Sequence, residues 1–137
     1  MIEPRFADFL ASHRWALLTT LRASGLPANS MVAYASDGDT FVVSTPGGTL
    51  KARTLARDPR VVLTAISNAE PFNFVSVEGR AVVERQGEGE GIERATRLVF
   101  ANIRDHYPEP PDLAGWMREQ RRVILRVVPE RVSGVIR

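Results

Sequence analysis

The sequence contains no cysteine, which excludes disulfide staples, thiol nucleophiles and cysteine-held metal clusters at once. Histidine is almost as scarce, with His13 and His106 alone. Neither has a second histidine or a pair of carboxylates at ligand spacing, and Asp105 beside His106 is too little to hold a metal. No Gly-x-Ser-x-Gly elbow occurs. No apolar run approaches the length of a membrane span, and the start, Met1-Ile-Glu-Pro-Arg-Phe-Ala-Asp8, lacks the basic-then-apolar plan of a secretory leader. These absences lead us to expect a cytoplasmic protein with no metal site and no membrane contact. Charge of one sign is also missing: the formal net charge is +2, and arginines alternate with acids, as in Glu93-Arg94 and Arg118-Glu119. A nucleic-acid binder gathers its positive charge among aromatics, so no nucleic-acid partner is expected.

What remains is an ordinary soluble composition, 44% apolar and 25% charged. With 137 residues the chain can bury roughly 70% of its unfolded surface. We expect one domain over residues 1–137. Pro4 to His13 reads as a short helix with Phe6, Phe9, Leu10 and His13 on one face. Strands follow at Trp15 to Leu21, Ala28 to Ala35 and Phe41 to Ser44, joined by tight turns at Ala23 to Pro27 and Asp37-Gly-Asp39. A helix from Thr49 to Arg57 stops at Asp58-Pro59. Further strands are expected at Val61 to Ile66 and Phe72 to Arg85, the latter bent or bulged at Gly79. Gly87, Gly89 and Gly91, with the solvated Glu88 and Glu90, form a flexible lead into a helix from Ile92 to His106. Its Ile92, Ala95, Val99 and Ile103 make a core-facing stripe. Tyr107 to Asp112 is a proline-rich loop, and a helical turn around Trp116 precedes strands at Val123 to Val128 and Val132 to Ile136. The fold class is therefore mainly β (α+β), with six or seven strands, mostly antiparallel, and closure towards a barrel.

Of 18 basic residues, a single one is lysine, Lys51. It follows Gly47-Gly48 in the first turn of a helix, where the unpaired N–H groups and partial positive charge disfavour a cation by up to about 1 kcal/mol. An anion lodged among lysine, glycine turn and N–H groups would remove the conflict. On position alone this reading and a lysine simply in water stand level. Thr19, Thr20, Asn29, Ser30, Ser44, Thr45 and Thr49 cluster on the neighbouring strands and helix start. Taken singly they are ordinary strand and turn residues. Taken as a set beside Lys51 they resemble the lining of a pocket for a phosphate-bearing, hydrogen-bonding heterocycle. Such a cofactor brings its own reactive chemistry and needs no protein acid, base or nucleophile.

Several stretches in order resemble the split-barrel flavoproteins related to pyridoxamine 5′-phosphate oxidase, most closely the actinobacterial branch that uses the deazaflavin F420. Leu17 to Pro27 is similar to that branch's first hairpin, Ser30-Met-Val-Ala-Tyr34 to its second strand, and Phe41 to Thr45 with Lys51 to Pro59 to its phosphate-binding strand and helix. Val75 to Val83 resembles the long strand before a helical insert, and Arg121 to Val132 the closing pair. The resemblance implies a six-stranded, mostly antiparallel split β-barrel with peripheral helices, forming a homodimer with cofactor sites at the interface. It implies that Lys51 meets the cofactor phosphate with Thr45 and Thr49 as hydroxyl partners and Ser44 nearby. Arg53 and Arg57 share the helix and would meet phosphate or an acidic tail, the alternative for Arg57 being a place in solvent near Asp58. Pro27 through Met31, including Asn29 and Ser30, would lie along the tricyclic ring with Thr20 close by. The implied activity is hydride transfer between F420 and a small conjugated acceptor such as an enone, quinone or tetrapyrrole, with acceptor contacts from Asn68 to Phe74 and Tyr107 to Trp116.

The chain departs from the pattern at Leu50, where many relatives have a basic or polar residue. It has Ser30 and Ala35 where pyridoxamine phosphate oxidases proper carry arginine and lysine, and it lacks their C-terminal Arg-x-His signature. Pyridoxamine phosphate oxidase activity is therefore not expected. The alternatives are an FMN-dependent flavin reductase or oxidase, and a non-catalytic flavin- or tetrapyrrole-binding protein.

Overall fold

A computed structural model describes residues 2–87 and 91–137; Glu88, Gly89 and Glu90, in the expected glycine-rich lead, lie outside the described residues. The order is α1 (Pro4–Ala11), β1 (Trp15–Leu21), β2 (Pro27–Ala33), β3 (Ala35–Asp37), β4 (Thr40–Pro46), α2 (Leu50–Arg57), β5 (Arg60–Ile66), β6 (Phe74–Glu84), α3 (Gly91–Ile103), α4 (Leu113–Glu119) and β7 (Arg122–Val135). Every strand pairing is antiparallel, in one sheet ordered β2-β1-β5-β6-β7-β4-β3.

That order contains the reason for the curl. β2 and β3 form opposite edges of the sheet, yet Tyr34 alone separates them in sequence. The two edges must therefore approach each other, and the sheet rolls towards a barrel. Tyr34 sits fully buried at this seam. Its hydroxyl donates to Leu10 O at 2.5 Å and its N–H to Arg14 O at 3.1 Å, which ties the seam to α1. Burial pushes the Tyr34 hydroxyl well above its ordinary pKa. The expected strand from Ala28 to Ala35 is thus divided at Tyr34; with the closing pair merged into one strand, the sheet has seven strands, against the six that the resemblance implies.

The closing pair expected at Val123 to Val128 and Val132 to Ile136 is one continuous strand, β7. Opposite it, the register shifts between Glu78 and Gly79, because Glu78 pairs with Arg131 and Gly79 with Pro129. The bulge absorbs Pro129, which has no N–H to give the ladder. A Cβ on Gly79 would run into the Val128 carbonyl, so this position requires glycine.

Two apolar clusters flank the curled sheet. Inside the barrel, Leu18, Tyr34, Phe41, Val43, Leu63, Val77 and Leu125 pack with Phe6 and Leu10 of α1 and Leu55 of α2. On the other side of β4 and β7, Val42 and Ile124 pack under α3 and α4 with Ile92, Ala95, Val99 and Met117. β4 and β7 are therefore covered on both faces and read as near-continuous apolar runs. The expected stripe Ile92, Ala95, Val99 and Ile103 is buried, although α3 ends at Ile103, before His106. Asp37 anchors the short β3. It accepts a two-pronged bond from Arg94 of α3 (2.8 and 2.9 Å) and a third from Arg126 of β7 (2.8 Å). Arg126 also donates to Glu84 at 3.1 Å. Bonding by Arg94 and then Arg126 holds the Asp37 carboxyl well below the usual carboxylate range.

Candidate functional site

β4 delivers the chain to the turn before α2, and β7 begins beside it, since Pro46 pairs with Arg122. The Gly47 N–H donates to Arg121 O at 2.8 Å. A Cβ at Gly47 would lie 2.9 Å from that same oxygen, so glycine permits the two turns to clasp. Arg121 takes a positive φ of 52° to start β7. The clasp brings Arg122 to the first turn of α2.

Thr49 is the N-cap of α2. Its hydroxyl donates to Pro46 O at 3.0 Å and accepts from the Ala52 N–H at 3.4 Å. Thr45, buried on the inner face of β4, places its Oγ1 3.4 Å from Thr49 Oγ1. Lys51, half-buried, follows in the first helical turn. Burial, and then the Arg122 charge, hold the Lys51 ammonium below its ordinary pKa. Arg122 itself is held in place from three sides. It donates to Gln120 Oε1 at 2.8 Å and to Ser44 O at 3.2 Å, and its guanidinium lies 4.2 Å from the Trp116 ring centre. Burial lowers its pKa as well.

Among the described residues, neither Lys51 nor Arg122 has a carboxylate partner. Two neighbouring, partly desolvated cations without an anion are an uncompensated charge. The donor set, an ammonium, a guanidinium and the Thr45 hydroxyl at a helix start that Thr49 caps, fits a phosphate. Arg122 was not among the residues expected from sequence, where Arg121-Arg122 reads only as a basic pair opening a strand. The register across β4 reveals its place, and no local sequence signal carries it.

The other expected residues fall in different places. The Ser44 side chain points away from Thr45, towards α3, with its Oγ 3.3 Å from Thr96 Oγ1; its carbonyl, not its hydroxyl, serves the cradle. Arg53 is exposed on α2. Arg57 donates to Leu21 O at 3.0 Å and so pins the end of α2 to the β1–β2 hairpin. Thr20 is buried in the barrel. On β2, Pro27, Asn29 and Met31 lie on the outer face and Ser30 alternates inward. Asn29 Oδ1 accepts from Thr19 Oγ1 at 2.6 Å. No hydrogen bond among the described residues joins Pro27 to Met31 with the Thr45–Lys51 cradle.

A curled antiparallel sheet with helices packed on both sides of β4 and β7 is a split-barrel architecture. Residues 2–136 match the family described as pyridoxamine 5′-phosphate oxidase, and the chain belongs to that family. It is 32% identical over 128 residues to the F420H(2)-dependent biliverdin reductase of Mycobacterium tuberculosis, covering 92% of this chain and 82% of that protein. Among solved structures it is similar to a conserved hypothetical protein, Rv2991, also from Mycobacterium tuberculosis. That match has a TM-score of 0.81 and 27% identity, over 98% of this chain and 84% of the other. An F420 reductase matches with a TM-score of 0.76 and 21% identity, over 96% and 98% of the two chains, which is a likeness of fold alone.

Proposed function

We propose that this protein is an F420H2-dependent reductase of the split-barrel family, acting on a small conjugated acceptor. The observation that carries the reading is the unneutralised pair Lys51 and Arg122 beside the Thr45 and Thr49 hydroxyls. It is supported by the identity to a relative named for F420H2. Lys51, Arg122 and Thr45, at the helix start that Thr49 caps, would hold the cofactor phosphate. When bound, the deazaflavin would supply a hydride at its ring, chemistry that asks for no metal-ligand cluster, and the described residues hold none. The contribution of the chain is to bind, orient and keep water out.

Pro27, Asn29 and Met31, which this reading lays along the cofactor ring, lie on an outer sheet face that also carries exposed Trp15, Ile66, Phe74 and Val135. In this reading a second copy of the chain covers that face and completes the site, as a homodimer.

The reading is tested by titrating ligand-free protein with F420 and with FMN while following tryptophan emission. Trp116, stacked on Arg122, is the expected reporter, so Trp116→Phe should remove most of the quench without abolishing binding. Tight F420 binding with weak FMN binding is the expected result. Preference for FMN would instead make the protein an FMN-dependent flavoprotein, and binding of neither would end the cofactor reading.

A further inference from the structure

The last turn of α4 is built around Arg122. Asp112 caps the start of the helix by accepting from the Gly115 N–H at 3.1 Å, and Leu113 and Met117 bury in the cluster under α3, which fixes the helix. Trp116 meets Phe100 of α3 edge-on, ring centres 5.5 Å apart, and offers its own face to Arg122. Gln120 closes the helix, its N–H donating to Trp116 O at 3.0 Å. Arg121 then takes its left-handed φ of 52°, an uncommon conformation for a residue with a side chain. Across that bend Gln120 Oε1 accepts from Arg122 Nε at 2.8 Å.

Arg122 is thereby fastened through Nε and, at Ser44 O, through Nη1. Its Nη2 has no partner among the described residues and, unlike Arg14 Nη1, it is not walled in, so it can reach a ligand. The groups that fasten Arg122 are an amide, a carbonyl and an indole face, all uncharged. The same strand shows the alternative. Arg126 is fixed by the carboxylates of Asp37 and Glu84, so its charge is neutralised within the chain. Glu119, directly before Gln120, pairs with neither Lys51 nor Arg122. We propose that Gln120 is a positioning residue for the cofactor phosphate: its neutral amide orients the Arg122 guanidinium and leaves the positive charge for the ligand. The proposal rests on the reading of Lys51 and Arg122 as a phosphate cradle. Gln120→Glu keeps the shape and the acceptor but sets a carboxylate against Arg122, and that carboxylate competes with the phosphate. Gln120→Met keeps the length and removes the acceptor, which loosens Arg122 without neutralising it. Gln120 is exposed and lies in neither core, so both variants should fold.

The test is calorimetric titration of the full chain with F420 and with the deazaflavin that lacks the phosphate and everything beyond it, alongside melting of the ligand-free protein. Wild type should prefer F420 by about 100-fold, the scale of charge-assisted contacts, and Lys51→Met should cut that preference about tenfold or more. Gln120→Met should lower the preference about threefold and Gln120→Glu about tenfold. Ligand-free Gln120→Glu should nevertheless melt at the wild-type temperature or above it. A merely structural contact would not give that crossed order, firmer without ligand and weaker for phosphate. Wild-type preference retained in Gln120→Glu would overturn the proposal and leave the cradle standing. A larger loss in Gln120→Met than in Gln120→Glu would do the same, since charge at this position would then be immaterial. So would a Gln120→Glu protein that melts lower and loses both ligands equally. A wild type that binds both ligands alike, or a preference untouched by Lys51→Met, would end the cradle reading and the proposal with it.

Discussion

Lys51 and Arg122 are both drawn partly out of water and set beside each other with no acid between them among the described residues, so the ligand-free site holds a local excess of positive charge. A lysine whose folded pKa is depressed opposes folding while it is charged. That cost is fully present below the folded pKa and vanishes above the ordinary value near 10.4. Lys51→Met should therefore leave the ligand-free stability unchanged or raise it, by no more than about 1 kcal/mol at neutral pH. The same substitution should weaken F420 binding by about 10- to 100-fold, corresponding to about 1.5–3 kcal/mol for a lost charge-assisted contact. Melting curves and fluorescence titrations read the two effects separately. A variant that melts lower yet binds F420 as before would remove Lys51 from the site. Lys51 was legible in the sequence because it is unique and follows two glycines. Arg122 was not, because its role comes from a strand register and a clasp with Gly47, neither of which leaves a local pattern.

At the scale of elements, β3 has three residues and little apolar surface to hold it. Asp37, with its side chain only 14% exposed, ties it to α3 through Arg94 and to β7 through Arg126. Asp37→Asn keeps the shape and removes the charge, and should cost about 1.5–3 kcal/mol at pH 7, as expected for bonds to charged donors. The pH dependence has a definite sign. A carboxyl whose folded pKa is depressed contributes stability above its ordinary value near 3.9, and that contribution is lost as pH falls towards the folded pKa. The gap between wild type and Asp37→Asn in chemical denaturation should thus be constant from pH 7 to about 5 and narrow below about 4. A gap that widens in acid would assign the stability elsewhere. Asp37-Gly-Asp39 was legible as a turn, since glycine takes a positive φ at Gly38. The break at Tyr34 was not, because apolar alternation runs through the residue while its backbone leaves one sheet edge for the other. The merging of the closing strands was hidden for a related reason. Proline at position 129 reads as a stop, and only the bulge opposite Gly79 shows how one strand carries it.

At the scale of the molecule, the hairpins and the alternating burial made a mostly antiparallel curled sheet legible, since period-two patterns determine which side faces the core. The outer face of β1, β2, β5 and β6 is less usual for a protein that stays alone in water. Met31 is 67% exposed, with Trp15, Ile66 and Phe74 around it, and Phe72 and Leu26 continue the patch towards the loops. Among the described residues, no helix packs on this sheet face as α3 and α4 pack on β4 and β7. A second copy laid across it would bury the apolar residues and bring Pro27 to Met31 of one chain against another chain's surface. Sedimentation at micromolar concentration should therefore show a dimer. Met31→Asp places a carboxylate in the middle of what would become a dry surface, at a cost of several kcal/mol if it is left unpaired. It should shift the protein to monomer while leaving its melting temperature in dilute solution near that of the wild-type monomer, because Met31 contributes nothing to either core. F420 affinity should fall with dissociation, since the ring-facing half of the site would be exposed to water. A wild-type monomer that binds F420 tightly would show that one chain suffices, and the outer face would then need another explanation. A dimer that withstands Met31→Asp would move the interface to a different part of the sheet.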